Sequence, residues 1–314
     1  MPDCEAGPAV LARARRYTRY PKQFESQLRA VLPRLAYVQQ AAARYGIAGE
    51  FVLLPWVESH FRPLTSRHNR PAGMWQIMPI TAGAMGLRVD GHYDGRLNVP
   101  AATDAVMKLL KQYHAQFHDW RVADYAYNAG EFTIRRIIQR HGLPGAKPVI
   151  PRWPVRKATR KHLIKLLAIA CVVREPARFH VSLPALPGGQ HLVTVKVTHP
   201  ISMTMAARHA GMPTKKLKRL NSAFRGSMVD TRASPYLLVP KRHARQLREA
   251  LLERNRDGTP AMAPTPTTHR VKRGDSLWKI ARQYAVQVSQ LKRWNHLQGD
   301  TLKIGQALLV GAPQ

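Results

Sequence analysis

The sequence predicts a multidomain protein: an all-α domain followed by two small α+β modules of strand, two helices and strand. Three observations predict it. Apolar residues recur at helical spacing from Pro21 to about Val173. A Pro/Gly break follows at Pro184-Ala185-Leu186-Pro187-Gly188-Gly189. Beyond that break the chain repeats itself.

In the helical part, Phe24, Leu28, Val31, Leu35 and Val38 form one stripe, and Ala105, Leu109, Tyr113 and Phe117 a second. Ile134, Ile137 and Ile138 mark a third helix, and Leu163, Leu166, Leu167 and Ala170 a fourth. Loops rich in Pro and Gly separate them at 63–71, 85–100 and 141–154. In the second part, Val271 to Asn295 aligns without gaps on Val197 to Asn221. The alignment pairs Ser276 with Ser202, Ala281 with Ala207, Leu291 with Leu217 and Asn295 with Asn221. Each copy ends in a strand-like run, 236–239 and 307–310. These features divide the chain into an N-terminal segment (1–20), a helical domain (21–183) and a first module (190–242). A Pro/Thr-rich linker (256–268) and a second module (269–311) follow.

With 50 Lys+Arg against 18 Asp+Glu, the formal net charge is +32. Such a field attracts polyanions: nucleic acid, anionic headgroups at a membrane surface, or a carboxylate-bearing wall polymer. No zinc-finger spacing, Walker loop or aromatic RNA-binding signature converts the charge into sequence recognition, so no specific nucleic-acid partner is expected. The two cysteines, Cys4 and Cys171, argue against a disulfide framework. Cys171, in the apolar stretch 166–173, reads as a buried thiol, and Cys4 as a remnant of lipid attachment if the true start lies upstream. Residues 1–20 lack the apolar core of a signal peptide, and the run 163–173 is too short to span a bilayer. No metal or cofactor and a monomeric state are expected.

Chemistry concentrates at Glu58. It ends the apolar run Phe51 to Leu54, Trp56 and Val57, before a proline at position 63 that is expected to stop the helix. Apolar surroundings disfavour a charged carboxylate, and a raised carboxyl is what a general acid needs near neutral pH. Taken alone, Glu58 also fits an exposed helix end.

Glu58-Ser59-x-Phe61-x-Pro63, Gly73-x-Trp75-Gln76 and Ala126-Tyr127-Asn128-Ala129-Gly130 together resemble the soluble-lytic-transglycosylase catalytic domain. The resemblance runs from about Arg19 to Cys171 and takes in Asp94-x-Arg96, Asp119-Trp120 and Thr159-Arg160. It implies a lysozyme-like all-α fold. The second module, with Gly274-Asp275-Ser276-Leu277-Trp278, Asn295 and Ile304-Gly305-Gln306, resembles a LysM domain, which implies binding to N-acetylglucosamine-containing glycan. On that resemblance Gly274, Asp275, Ser276, Leu277 and Asn295 are candidate glycan-binding residues. In the first copy Pro200 and Ile201 replace the Gly-Asp pair and Met203 replaces Leu, so its glycan binding is not implied.

The resemblance implies a peptidoglycan lytic transglycosylase of the periplasm or cell envelope, with Glu58 as general acid and then base. Glu58 would protonate the glycosidic oxygen between N-acetylmuramic acid and N-acetylglucosamine. It would then deprotonate the muramoyl C6 hydroxyl, giving a 1,6-anhydro product. One carboxylate suffices because the nucleophile is intramolecular. Ser59, Gly73, Met74, Gln76, Tyr127, Asn128 and His162 are the candidate substrate-site residues. Met74 and Trp75 also fit plain core packing, and Ser59 plain helix-end hydrogen bonding. His162 stands where the family pattern has tyrosine, and Ile164 where it often has proline.

Two other functions compete. A lysozyme-type muramidase needs a second carboxylate to activate water, and Asp90, Asp94, Asp104, Asp119, Asp124 and Glu131 are available, Glu131 being the best placed in sequence. The other is a non-catalytic wall-binding or nucleic-acid-binding protein.

Overall fold

The computed structural model describes residues 1, 3–65, 70–256, 268–284 and 286–310. The helical part comprises α1 (Pro8–Tyr17), α2 (Pro21–Tyr45), α3 (Leu54–Ser59), α4 (Pro79–Ala84) and α5 (Val99–Phe117). It continues with α6 (Trp120–Ala129), α7 (Glu131–His141) and α8 (Lys157–Arg174). The four periodic stripes of the sequence therefore lie on α2, α5, α7 and α8.

Helix starts follow local chemistry. Proline opens α1, α2, α3, α4 and α5 in the first turn, where its missing N–H is not needed. Asn98 caps α5 through Ala101 N–H, and Asp119 caps α6 through Arg121 N–H.

Helix α8 is the central strut. Leu163, Leu166, Leu167, Ala168, Ile169, Cys171 and Val172 are wholly buried, and α1, α3 and α6 pack around it. A helix apolar on nearly all sides belongs in a domain centre. The first twenty residues share this core: Val10 and Ala14 of α1 are buried in it. Cys4 and Cys171 form a disulfide across 167 residues of chain, which corrects the reading of Cys171 as a thiol and of Cys4 as a lipid-attachment remnant. The packing of α1 on α8 sets the two Cα atoms 4.8 Å apart, within disulfide reach.

The first module contains β1 (Leu192–Lys196), β2 (Ile201–Ser202), α9 (Met203–His209), α10 (Thr214–Leu220), β3 (Met228–Val229) and β4 (Tyr236–Pro240). Antiparallel β1–β4 pairs Val195 with Leu237, and β2–β3 pairs Ile201 with Val229. Helix α11 (Lys241–Arg256) follows directly, and its Ala244 and Leu247 enter the module core. The module thus extends beyond the expected end at residue 242, where the sequence presents the charged pair Lys241-Arg242. The apolar spacing of Ala244, Leu247 and Leu251 was the missed signal.

The second module has β5 (Thr268–Arg270), α12 (Leu277–Gln283), α13 (Val288–Trp294) and β6 (Ala307–Leu309), with β5 antiparallel to β6. Most of the proposed linker 256–268 lies outside the described residues.

The repeat is visible atom by atom. Asn221 Nδ2 donates to Leu217 O and Leu238 O while its Oδ1 accepts from Leu238 N–H. Asn295 makes the same three bonds to Leu291 O, Leu309 O and Leu309 N–H.

The first module docks on the loop before α5. Asp94 N–H donates to Ala223 O at 2.9 Å and Arg225 N–H to His92 O at 2.9 Å. Tyr93 and Leu97 are buried in the module's own core. Asn98, Ser234 and Tyr236 close the contact with hydrogen bonds between their side chains.

Candidate active site

Glu58 lies near the end of α3, a helix of six residues whose Leu54, Pro55, Trp56 and Ser59 are buried. The helix stops at His60, which is left-handed (φ 53°), and Phe61 continues left-handed (φ 55°). The stop thus precedes Pro63 and is made by backbone conformation. Non-glycine residues in this region carry strain, which must be repaid by the packing around them. The fully buried ring of Phe61 supplies such packing.

Facing α3 is a tight turn, 72–77, closed by hydrogen bonds in both directions between Ala72 and Ile77. Four of its carbonyls are held by four different side chains. Ser59 Oγ donates to Met74 O at 2.9 Å, and Tyr127 Oη donates to Trp75 O at 2.6 Å. Arg96 Nη1 donates to Ile77 O at 3.3 Å, and Gln76 Nε2 donates to Gly73 O at 2.7 Å. Trp75, wholly buried, donates its indole N–H to Thr103 Oγ1 at 3.2 Å.

Gly73 is required sterically. Its φ is 77°, and a Cβ there would sit 1.9 Å from Arg96 O. Gln76 is also left-handed, at φ 50°. Arg96 is itself buried, ion-paired to Asp94 at 2.8 Å. The turn is therefore preorganised from α3, α6, α5 and the loop that carries the first module.

Glu58 does not sit in purely apolar surroundings. Its Oε1 is 3.0 Å from His162 Nε2 of α8, and His162 Nδ1 is 2.9 Å from Asp124 Oδ1 of α6. Asp124 is fully buried, His162 is 5% exposed, and the Glu58 side chain 18%. Burial pushes the imidazole down, but Asp124 and Glu58 outweigh it and raise His162 to about 10. Burial and the neighbouring Glu58 hold the Tyr127 phenol well above its usual value, so it stays a donor.

The sequence candidates divide as follows. Glu58, Ser59, Gly73, Met74, Gln76, Tyr127 and His162 converge on one site. Asn128 is exposed at the end of α6. Ser59 and Tyr127 both position the 72–77 turn by bonding its carbonyls. Met74 and Trp75 are core residues with 3% and 0% exposure. Asp124, in sequence one of six carboxylates available to a muramidase, joins this site behind His162. Its three-residue spacing from Tyr127 puts both on one face of α6, which was the available signal.

The remaining acids are engaged elsewhere. Glu131 pairs with Arg135 at 3.0 Å, Asp119 with Arg121 at 2.6 Å and Asp104 with Lys108 at 2.8 Å. Asp90 pairs with Arg88, and Asp94 with Arg96. A concavity of about 420 Å³ lined by residues including Arg152, Trp153 and Arg160 lies apart from this cluster.

In the second module, Gly274 is left-handed (φ 89°) and exposed. Asp275 Oδ2 accepts from Lys272 N–H and faces His269 Nε2, both at 2.8 Å. The Lys272 N–H and His269 hold its carboxyl below the usual range. Ser276 Oγ accepts from Lys279 N–H as an N-terminal cap of α12. Leu277 is buried and Asn295 ties α13 to β6, so both carry the fold of the module. Trp278 and Ile304 are 60% and 71% exposed.

Comparison with known proteins agrees with this layout. Residues 36–149 match the family described as "Transglycosylase SLT domain", residues 191–255 "Lytic transglycosylase MltD, LysM-like domain", and residues 269–311 "LysM domain". The chain is 32% identical over 290 residues to Membrane-bound lytic murein transglycosylase D of Escherichia coli K12, covering 89% of this chain and 64% of that protein. The chain thus spans about 64% of the length of this relative. The chain is 50% identical over 52 residues to a probable N-acetylmuramidase of Lactococcus lactis, covering 17% of this chain and 12% of that protein. A solved Pseudomonas aeruginosa lytic transglycosylase Slt is 20% identical with a TM-score of 0.39, covering 55% of this chain and 31% of that one. The chain is MltD-like, a helical, lysozyme-like SLT domain followed by two LysM-type modules.

Proposed function

We propose that the protein is a peptidoglycan lytic transglycosylase that cleaves the β-1,4 bond between N-acetylmuramic acid and N-acetylglucosamine without water. Glu58 is the acid that protonates the leaving oxygen and the base that then activates the muramoyl C6 hydroxyl. The observation that carries this reading is the isolation of Glu58. Glu131, Asp119, Asp104, Asp94 and Asp90 are each ion-paired to a basic side chain, and Asp124 is sealed behind His162. A hydrolase needs a second carboxylate able to reach water across the sugar. An intramolecular hydroxyl needs none, since its effective concentration is already high.

The second module is the wall anchor, and glycan contacts fall to its exposed turn at Gly274 to Ser276. The cell envelope, in the periplasm, is the proposed site of action. A disulfide between Cys4 and Cys171 favours an oxidising compartment, and the Escherichia coli relative's name describes it as membrane-bound. The +32 charge supports retention on an anionic wall or lipid surface.

Digestion of purified peptidoglycan followed by mass spectrometry tests the reaction. 1,6-Anhydro ends lost in Glu58→Gln support it; reducing ends alone identify a muramidase, and no lysis by the wild type identifies a binding protein.

A further inference from the structure

Both ring nitrogens of His162 face a carboxylate oxygen, Nε2 to Glu58 at 3.0 Å and Nδ1 to Asp124 at 2.9 Å. Ionised carboxylates only accept hydrogen bonds, so each contact needs a hydrogen. A neutral imidazole carries one. The second proton of the array therefore lies along the Glu58–His162 contact, on Nε2 or on Oε1. Asp124 cannot exchange it with solvent directly, because it is fully buried.

From this geometry we propose that His162, anchored by Asp124, is a proton-holding residue that loads Glu58 with the proton it delivers to the glycosidic oxygen. The proposal rests on the reading of Glu58 as general acid. The proton passes from Nε2 to Oε1, then to the leaving oxygen as its bond to C1 breaks. Glu58 next takes the C6-hydroxyl proton as O6 bonds to C1, and His162 takes it back. One proton leaves and one returns, so the Glu58–His162–Asp124 array ends as it began. His162 does not touch substrate; it acts through Glu58.

The groups facing His162 are few. Glu58 comes from α3 and Asp124 from α6. Arg15 and Arg16 of α1, and Lys161 beside it on α8, are exposed. Lys165 follows one turn later, half-buried. The ionic cluster of Asp3, Glu50 and Arg174 packs at the opposite end of α8. A tyrosine here, which the family pattern expects, can donate a hydrogen bond to Glu58 but cannot hold a cationic proton. This chain thereby keeps a deliverable proton on His162, beside Glu58, at pH values where an ordinary imidazole is neutral.

The test compares wild type, His162→Gln, His162→Tyr and Asp124→Asn as full-length protein on purified peptidoglycan. His162→Gln is expected to lose about tenfold in kcat above pH ~8 with little change in KM, moving the alkaline limb of kcat/KM down by about one unit or more. His162→Tyr is expected to recover activity near neutral pH and not at alkaline pH. A His162→Gln profile that superposes on wild type overturns the proposal. As a measurement independent of turnover, and of whether Asp124→Asn folds, nitrogen-15 NMR of wild-type His162 should show both ring nitrogens protonated through pH ~8. A ring titrating near its ordinary value of about 6.5 overturns it. Failure of the parent reading looks different: Glu58→Gln would then retain lytic activity.

Discussion

Asp94 of the helical domain and Arg225 of the first module are joined by an ion pair at 3.1 Å, on the carboxylate oxygen that also receives Arg96. Arg96 in turn donates to Arg70 O and Ile77 O and abuts Gly73. The module is therefore linked through Asp94 and Arg96 to the turn that faces Glu58.

The two ends of this ion pair are not equivalent. Arg225 is 38% exposed, so Arg225→Ala should cost about 1 kcal/mol or less. Asp94 is 1% exposed, and Asp94→Ala leaves Arg96 buried without its counter-charge, at about 3–5 kcal/mol. Denaturant unfolding of both variants checks the order. Burial raises the Asp94 carboxyl, but Arg96 and Arg225 win and hold it below the usual range. Its contribution should be complete above pH ~4 and vanish as acid protonates it.

Gly73→Ala should abolish activity and lower stability by several kcal/mol, since the added Cβ would lie 1.9 Å from Arg96 O at φ 77°. Gly274→Ala is the contrasting control. Its φ is 89° but nothing lies within 4 Å of the added atom, so only the modest conformational cost remains. Thermal unfolding and turnover of the two variants separate steric clash from backbone strain.

Reducing the Cys4–Cys171 disulfide releases α1 and the chain start from α8. The bridge closes 167 residues, and its loss should cost about 2–5 kcal/mol. A lowered melting temperature in reductant, matched by Cys4→Ala with Cys171→Ala, is the expected result.

Asn295→Ala removes two hydrogen bonds that tie α13 to β6 and one to Leu291 O within α13, and should destabilise the second module by about 1–3 kcal/mol. Glycan binding should fall only as far as the module unfolds, which pull-down at low temperature against circular dichroism resolves. Asn221→Ala should act in the same way on the first module, where the same bonds occur.

His162 also sets a pH dependence of stability. Its folded value is raised to about 10, so its contribution is full below its unfolded value near 6.5 and is lost as pH rises toward 10. Wild type should lose stability relative to His162→Gln across that window in calorimetric melts.

The linear order of apolar stripes, proline-opened helices and repeated modules was enough to place α2, α5, α7, α8 and both strand–helix–helix–strand units. Those features depend on neighbours a few residues apart, so spacing reveals them. Glu58, Gln76 and Tyr127 come together as a group only through the resemblance of their motifs to the soluble-lytic-transglycosylase catalytic domain. Pairings across the fold were not legible. Nothing in residue spacing joins Cys4 to Cys171, sets Asp124 behind His162, or seats Arg225 on Asp94. Nor could it show that Leu277 and Asn295 are occupied in holding their module together. These contacts exist because α8 runs through the domain centre and brings distant helices against it, and because buried polar groups must find partners wherever packing leaves them. Sequence alone determined which residue types could do the chemistry. Tertiary packing decided that the carboxylate at its centre meets an imidazole.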